Sequence, residues 1–153
     1  MSDYDNLMLD NQLCFALYSA TNAITRVYRQ LLDEHDLTYP QYLVLLVLWE
    51  KDGVAVRDLM QRLKLDSGTL SPILKRLERA GLVSKQRNDI DERIVRVSLT
   101  DKSRQLKPMV AEVQKQVACQ TGLDNKEFFA LLQQLNHLAE TLSKREVVQV
   151  KQA

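Results

Sequence analysis

Cys14 lies in the run Leu13-Cys14-Phe15-Ala16-Leu17-Tyr18, and no Lys, Arg or His stands within ten residues of it. A thiol attacks an oxidant only as its thiolate. A reactive Cys14 would therefore need donors brought to it by the fold, such as phenolic O–H groups or the N-terminal end of a helix. Taken alone, a cysteine among apolar neighbours also reads as a small buried hydrophobe, the commoner role of a free thiol. Cys119, in Gln116-Val117-Ala118-Cys119, is the second of the two cysteines and on its own reads as a spare thiol. Two cysteines make no disulfide scaffold.

A second group of residues suits a polyanion. Ser67, Thr69 and Ser71 carry small hydroxyls that can approach phosphates or base edges closely, and Lys75, Arg76 and Arg79 follow on the same segment. Arg93 stands just after the polar turn Asn88-Asp89-Ile90-Asp91-Glu92, with Asp91 near enough to hold its guanidinium in one pose. Solvated helices also carry such charges, and a plain helical bundle is the plainer alternative. Other chemistries find no pattern here. His35 and His137 have no ligand cluster around them, so no metal site is expected. The four glycines form no phosphate cradle, and no Ser, His and Asp group into a nucleophile and base. Neither a cofactor nor an enzymatic activity is therefore expected. Trp49 beside Tyr42 reads as core rather than as a ligand box.

These residues must be positioned by several helices and a hairpin. Leu13, Leu17, Ala20, Ile24, Val27, Tyr28 and Leu31 recur at three- and four-residue steps, predicting a helix from about Asn11 to Glu34. Thr38-Tyr39-Pro40-Gln41 reads as a capping box opening a helix to about Glu50 that is apolar nearly all round and so central. A short helix is expected over 56–63. The next runs from Asp66 or Ser67 to a C-cap at Gly81, with Leu70, Ile73, Leu74 and Leu77 inward. Pro72 predicts an irregular start to that helix; a shorter one capped by Ser71 is the alternative. Alternating apolar residues in 82–87 and 93–99 predict a β-hairpin. Thr100 should cap a helix over 101–120 that Pro108 can kink, and Asp124 with Glu127 a last helix with Phe128, Leu131, Leu132, Leu135, Leu138 and Leu142 on its stripe. The tail after Lys144 is expected to fray. Two short helices followed by a basic hairpin are the layout of a winged helix-turn-helix, mainly α with a small β-hairpin wing. In it the second short helix enters the major groove and the wing reaches the minor groove.

Composition sets the frame. A chain of 153 residues makes one ordinary domain with helical extensions, able to bury roughly two thirds of its unfolded surface. The longest apolar run, Tyr42 to Trp49, is eight residues, too short to span a bilayer, and the start of the chain does not read as a signal peptide. A cytoplasmic protein without membrane contact is expected. The net charge of +1 conceals an asymmetry: residues 51–110 hold 14 Lys and Arg against 8 Asp and Glu, and the rest is net acidic. A basic middle between acidic ends fits a polyanionic partner.

Asp66-Ser67-Gly68-Thr69-Leu70, Leu74-Lys75-Arg76-Leu77-Glu78, Gly81-Leu82-Val83 and Asp91-Glu92-Arg93 resemble the signature of the MarR (multiple antibiotic resistance regulator) repressors, over nearly the whole chain. The resemblance implies a homodimer whose first and last helices interlock and whose two wings reach a pseudo-palindromic double-stranded DNA operator. It divides the single chain 1–153 into a winged-helix core, 37–100, and dimerisation helices, 8–36 and 101–145. Asp10 to Ala20 and Leu37 to Tyr42 are similar to the organic hydroperoxide-sensing OhrR branch. That resemblance implies that Cys14 is the peroxide-reactive residue. It further implies that Tyr28 and Tyr39 hydrogen-bond its sulfur from the partner subunit, and that Cys119 matches the second cysteine of a two-cysteine type forming an intersubunit disulfide. The function implied is a repressor that releases DNA when an organic hydroperoxide oxidises Cys14. A MarR-like repressor released by a small aromatic ligand, with Cys14 structural, and a thiol peroxidase stay open beside it.

Overall fold

The computed structural model describes residues 4–150, with side chains described as far as Arg145. Six helices and a small antiparallel sheet make up the described residues: α1 (Leu13–Asp33), α2 (Tyr39–Glu50), β1 (Val54–Ala55), α3 (Val56–Leu63), α4 (Ser67–Arg79), β2 (Val83–Arg87), β3 (Val95–Leu99), α5 (Asp101–Gln120) and α6 (Asn125–Val150). This is the mainly α, winged-helix arrangement expected from the residue pattern.

Helix α1 starts two residues later than its periodicity suggested. The Asn11 and Gln12 side chains turn back to donate to the carbonyls of Asp5 (2.8 Å) and Asn6 (2.6 Å), holding two single 3-10 turns ahead of the helix. Helix α2 opens with the expected box: Thr38 Oγ1 accepts from the Gln41 N–H at 3.4 Å, and Gln41 Oε1 accepts from the Thr38 N–H at 2.9 Å. That pairing accounts for the burial of a Gln side chain, whose polar atoms would otherwise be costly to desolvate. Tyr42, Val44, Leu45 and Leu48 of α2 are buried, which makes it the central helix.

The chain divides into two compact units, Met1–Val117 and Ala118–Ala153. In the first, one apolar core gathers Leu32 and Leu37, the α2 face, Leu59 of α3, Leu70, Ile73, Leu74 and Leu77 of α4, Val83, Val97 and Leu99 of the sheet, and Val110, Val113 and Val117 of α5. Burying such a side chain contributes about 1.5–3 kcal/mol, an upper bound because the unfolded chain is already partly collapsed. The sheet order is β1-β3-β2, with Val54 and Lys85 both opposite Val97, and Arg87 opposite Val95. Strand β1 was not anticipated, because two residues carry no periodicity.

In the second unit Asp124 and Glu127 form a reciprocal cap, with Glu127 N–H to Asp124 Oδ1 at 2.8 Å and Asp124 N–H to Glu127 Oε2 at 3.0 Å. Helix α6 continues to Val150, and the rest of the tail for which fraying was expected lies outside the described residues. No described residue of α6 is buried. Among the described residues no helix is long and apolar enough to cross a membrane.

Candidate thiol and nucleic-acid sites

Helix α4 carries the first constellation. Asp66 caps it through Oδ1, which accepts the Thr69 N–H at 2.7 Å; that bond holds the Asp66 carboxyl below the usual carboxylate range. The helix is the longer of the two expected forms, with Pro72 inside it. Proline removes the bond to the Gly68 carbonyl, and Gly68 is exposed, so water can satisfy that oxygen. The inward face is Leu70, Ile73, Leu74 and Leu77; the outward face presents Ser67, Thr69, Ser71, Lys75, Arg76 and Arg79, all exposed. A left-handed Gly81 (φ 70°) ends the helix, with Leu82 N–H bonding Leu77 O at 2.9 Å and Gly81 N–H bonding Glu78 O at 3.0 Å. Only glycine enters that conformation without a Cβ penalty.

The hairpin tip closes on itself. Asn88 N–H bonds Ile94 O at 2.8 Å, Asn88 Oδ1 accepts the Ile90 N–H, and Asp91 Oδ1 accepts the Arg93 N–H at 3.0 Å. Asp91 therefore grips the backbone of Arg93 and not its guanidinium, contrary to expectation, because the turn brings the amide within reach first. Between helix and hairpin lies an open cleft of about 660 Å³ whose lining includes Ser67, Ser71, Asp91 and Arg93, together with Arg57 and Lys85. Neither Arg57 nor Lys85 was singled out from the residue pattern. Lys85 ties β2 to α4 through Glu78 at 3.2 Å. Among the described residues Lys75, Arg76, Arg79 and Arg93 enter no ion pair, so their charges are uncommitted.

The wing root is fastened at several points. Asp52 Oδ1 accepts from Leu99 N–H and Gly53 N–H, each at 2.8 Å, and Oδ2 pairs with Arg104 at 2.8 Å. Partial burial opposes the charge on Asp52, yet the bonds from Leu99, Arg104 and Gly53 outweigh it and hold the carboxyl below its ordinary range. Thr100 Oγ1 donates to Gly81 O at 2.7 Å, and Lys102 to Ala80 O at 2.8 Å, joining the end of α4 to the start of α5.

The second constellation is a thiol and a group of phenols. Cys14 is the second residue of α1 and is exposed. Gln12 supplies no side-chain cap to the first-turn amides of α1, the turn that carries Cys14. Within one chain Cys14 makes no hydrogen bond to Tyr28 or Tyr39. Those two tyrosines are half-buried and meet each other and Tyr42, with ring centroids 5.1 Å apart for Tyr28–Tyr39, 5.2 Å for Tyr28–Tyr42 and 5.9 Å for Tyr39–Tyr42. Burial, then the neighbouring Tyr28, pushes the Tyr39 phenol up, and burial pushes the Tyr42 phenol up further. Both hold their protons at neutral pH. Beside Tyr42 a groove of about 360 Å³ runs between α2 and α5, with Leu46, Trp49 and Val110 in its lining and Lys107 and Lys115 among its polar residues. Trp49 packs against the core as expected and donates to Ser103 O at 3.2 Å. Cys119 is exposed at the penultimate position of α5, in the second unit. Among the described residues no cluster of His, Cys, Asp and Glu suits a metal ion.

Comparison with known proteins gives this geometry its context. A family model described as the transcriptional regulator SarA/Rot matches residues 26–110. The chain is 50% identical over 141 residues to the HTH-type transcriptional regulator TtmR of Methylorubrum extorquens (strain PA1), across 92% of this chain and 72% of that one. It is 39% identical over 142 residues to the organic hydroperoxide resistance transcriptional regulator of Bacillus subtilis (strain 168), across 93% and 97%. Among solved structures, AbfR of Staphylococcus epidermidis is similar in two states. Reduced AbfR bound to DNA gives a TM-score of 0.79 at 32% identity, across 94% of this chain and 98% of that one. The disulfide-formed state gives 0.65 at 34%, across 92% and 94%. With its three-stranded sheet, exposed basic helix and basic hairpin, the chain belongs to the SarA/Rot family and is a transcriptional regulator of the MarR-type winged-helix class.

Proposed function

We propose that this protein is a cytoplasmic, homodimeric repressor that holds a pseudo-palindromic operator when reduced and releases it when an organic hydroperoxide oxidises Cys14. The observation that carries the reading is an exposed thiol on the first turn of α1, in a chain whose half-buried Tyr28 and Tyr39 present phenol groups with no thiol of their own to serve. In the dimer, Tyr28 and Tyr39 of one subunit donate to Cys14 of the other. The similarity to a hydroperoxide resistance regulator and to a protein solved reduced, on DNA and as a disulfide supports the same assignment.

In this reading Ser67, Thr69 and Ser71 approach the major groove, Lys75, Arg76 and Arg79 neutralise phosphates or read guanine edges, and Arg93 enters the minor groove on a loop braced by Asp91. The thiolate of Cys14 attacks the terminal peroxide oxygen; the S–O bond forms, the O–O bond breaks, and the alcohol leaves with one proton. The sulfenic acid condenses with the Cys119 thiol of the other subunit, releasing water and forming a disulfide. A disulfide needs Cα atoms within about 7 Å, so closure moves the helices that carry the two sulfurs and disturbs the half-site spacing.

One experiment tests this: operator binding and non-reducing electrophoresis after one equivalent of cumene hydroperoxide, before and after dithiothreitol. Wild type should lose the operator and run as a covalent dimer, both reversibly, while Cys14→Ser and Cys119→Ser stay monomeric on the gel. Cys119→Ser should still react and then stall as the sulfenic acid. No covalent dimer in wild type, or one in Cys119→Ser, would falsify the disulfide step. Turnover beyond one equivalent of peroxide per subunit would point to a thiol peroxidase instead.

The groove beside Tyr42, with two lysines in its lining, favours a second reading: release by a small aromatic anion, Cys14 being structural. Cys14→Ser separates the two, because ligand-driven release survives that change and peroxide-driven release does not.

A further inference from the structure

Arg93 and the basic face of α4 sit on separate elements, and both can meet one duplex only if the offset between them is fixed. Val83, Val97 and Leu99 hold the hairpin to the core by burial, which is non-directional. The directional ties are polar, and they close into a circuit. Lys85 of β2 pairs with Glu78 of α4 at 3.2 Å. The end of α4 meets the start of α5, where Thr100 Oγ1 and Lys102 Nζ donate to the Gly81 and Ala80 carbonyls. That start is itself anchored. The Thr100 N–H donates to Ser103 Oγ at 3.0 Å, Ser103 is fully buried, and Trp49 of α2 donates to its carbonyl. From this base Arg104 reaches back to the sheet. Its Nη2 donates to Asp52 Oδ2 at 2.8 Å, and its Nη1 donates to Asp101 Oδ1 at 3.1 Å. Asp52 Oδ1 takes the N–H of Leu99, the last residue of β3, and of Gly53, which leads into β1. The Gly53 carbonyl accepts from Arg96 Nη1 at 2.9 Å, so β3 is gripped a second time. Pairing of β3 with β2 returns the circuit to Lys85. Among the described residues Arg104 is the only side chain paired with the Asp52 carboxylate.

We infer that Arg104 is a positioning residue for DNA binding: it closes this circuit and so sets the offset between the outward face of α4 and Arg93 at the hairpin tip. The inference rests on the proposed placement of that face and of Arg93 against DNA. In this role Arg104 touches no nucleic acid. The Arg104 and Asp52 side chains are 52% and 38% exposed, and ion pairs so open to water contribute little to stability. What the pair supplies is direction. Without it, the base of β3 loses its tie to α5, and the hairpin must be ordered on the duplex at the moment of binding. The entropy of that ordering is subtracted from affinity.

The test uses the full-length reduced protein with Arg104→Ala, Arg104→Lys, Arg93→Ala and the Arg93→Ala, Arg104→Ala double variant. The probe is a duplex selected from random sequence by the wild type. Affinity is measured over a range of salt concentrations, with urea unfolding alongside. Arg104→Ala should bind about fivefold more weakly. Its salt slope should fall toward that of Arg93→Ala, because the tip no longer seats. Its unfolding midpoint should change little. Arg104→Lys keeps one charged donor for Asp52 and should recover most of the affinity. The double variant should bind no more weakly than Arg93→Ala alone, because Arg104 acts through the tip. Wild-type affinity and slope in Arg104→Ala, or losses that add in full in the double variant, overturn the inference while leaving Arg93 on DNA. An unchanged affinity and slope in Arg93→Ala overturn the placement of the hairpin as well. Should Arg104→Ala fail to fold, Arg104→Met keeps the apolar stem without a donor and carries the same readouts.

Discussion

Helices α4 and α6 both repeat leucines at helical spacing, yet α4 hides its stripe and α6 does not. Leu70, Ile73, Leu74 and Leu77 all lie in the core of the first unit, and the exposed face of α4 keeps Ser67, Thr69, Ser71, Lys75, Arg76 and Arg79 outward. On α6, Phe129, Leu131, Leu132, Leu135 and Leu142 are exposed, as are Leu13, Phe15 and Tyr18 around Cys14. Exposed apolar side chains in such runs exceed what a solitary soluble chain usually shows. The difference teaches that α4 completes its packing within one chain, while α6 and the start of α1 leave apolar side chains uncovered.

That contrast can be broken most severely on α6. Leu131→Asp combined with Leu135→Asp puts two charges one turn apart on the exposed stripe. If the stripe is a dimer face, the double variant should sediment as a folded monomer. Its operator affinity should then fall by about 100-fold or more, because the second half-site no longer benefits from linkage to the first. A dimer that survives both charges removes α6 from the interface. The matching change on α4 is Leu77→Ala at a fully buried position. It should cost about 2–5 kcal/mol of stability by urea unfolding, since the cavity adds to the lost transfer energy. A loss under about 1 kcal/mol would mean that the α4 face is less tightly packed than its burial indicates.

Smaller effects sharpen the comparison. Arg93→Ala should weaken specific and nonspecific DNA alike by about tenfold and reduce the salt slope by about one. An unchanged slope would place Arg93 away from the phosphates and the minor groove. Asp52→Asn should have the least effect, a fall of a few degrees in Tm at neutral pH. Because the Asp52 carboxyl titrates lower folded than unfolded, its contribution is full above its unfolded value and fades as pH falls below about 4. The melting temperatures of variant and wild type should therefore converge in acid; a constant gap down to pH 2 would mean that shape, not charge, makes the difference.

Much of this was legible in the residues because helix ends carry chemical signatures. Thr38 with Gln41, Asp124 with Glu127, and Gly81 each marked a boundary that the structure keeps. The exposed face of α4 was legible for the same reason: its apolar positions leave only one side for Ser67, Lys75 and Arg79. What escaped depended on pairing across long stretches of chain. Strand β1 exists because β3 offers it a partner, Lys85 of β2 and Arg57 of α3 line one cleft only once the hairpin and the helices are packed, and Tyr42 meets Tyr28 only once α1 and α2 are packed together. Asp91 pairs with the Arg93 backbone and not its guanidinium because the nearer donor is the backbone N–H.

The self-closed hairpin tip has a kinetic consequence. Four hydrogen bonds from Asn88 to Ile94 already shape the loop without nucleic acid. Ordering a floppy wing on the duplex would lower affinity by the entropy of every residue immobilised, and would slow capture whenever folding lagged behind collision. Here that ordering is complete before encounter. Association should therefore run at the pace of electrostatically guided diffusion and orientation, and substitutions that loosen Asn88 or Asp91 should show first as a slower arrival on DNA rather than a faster departure.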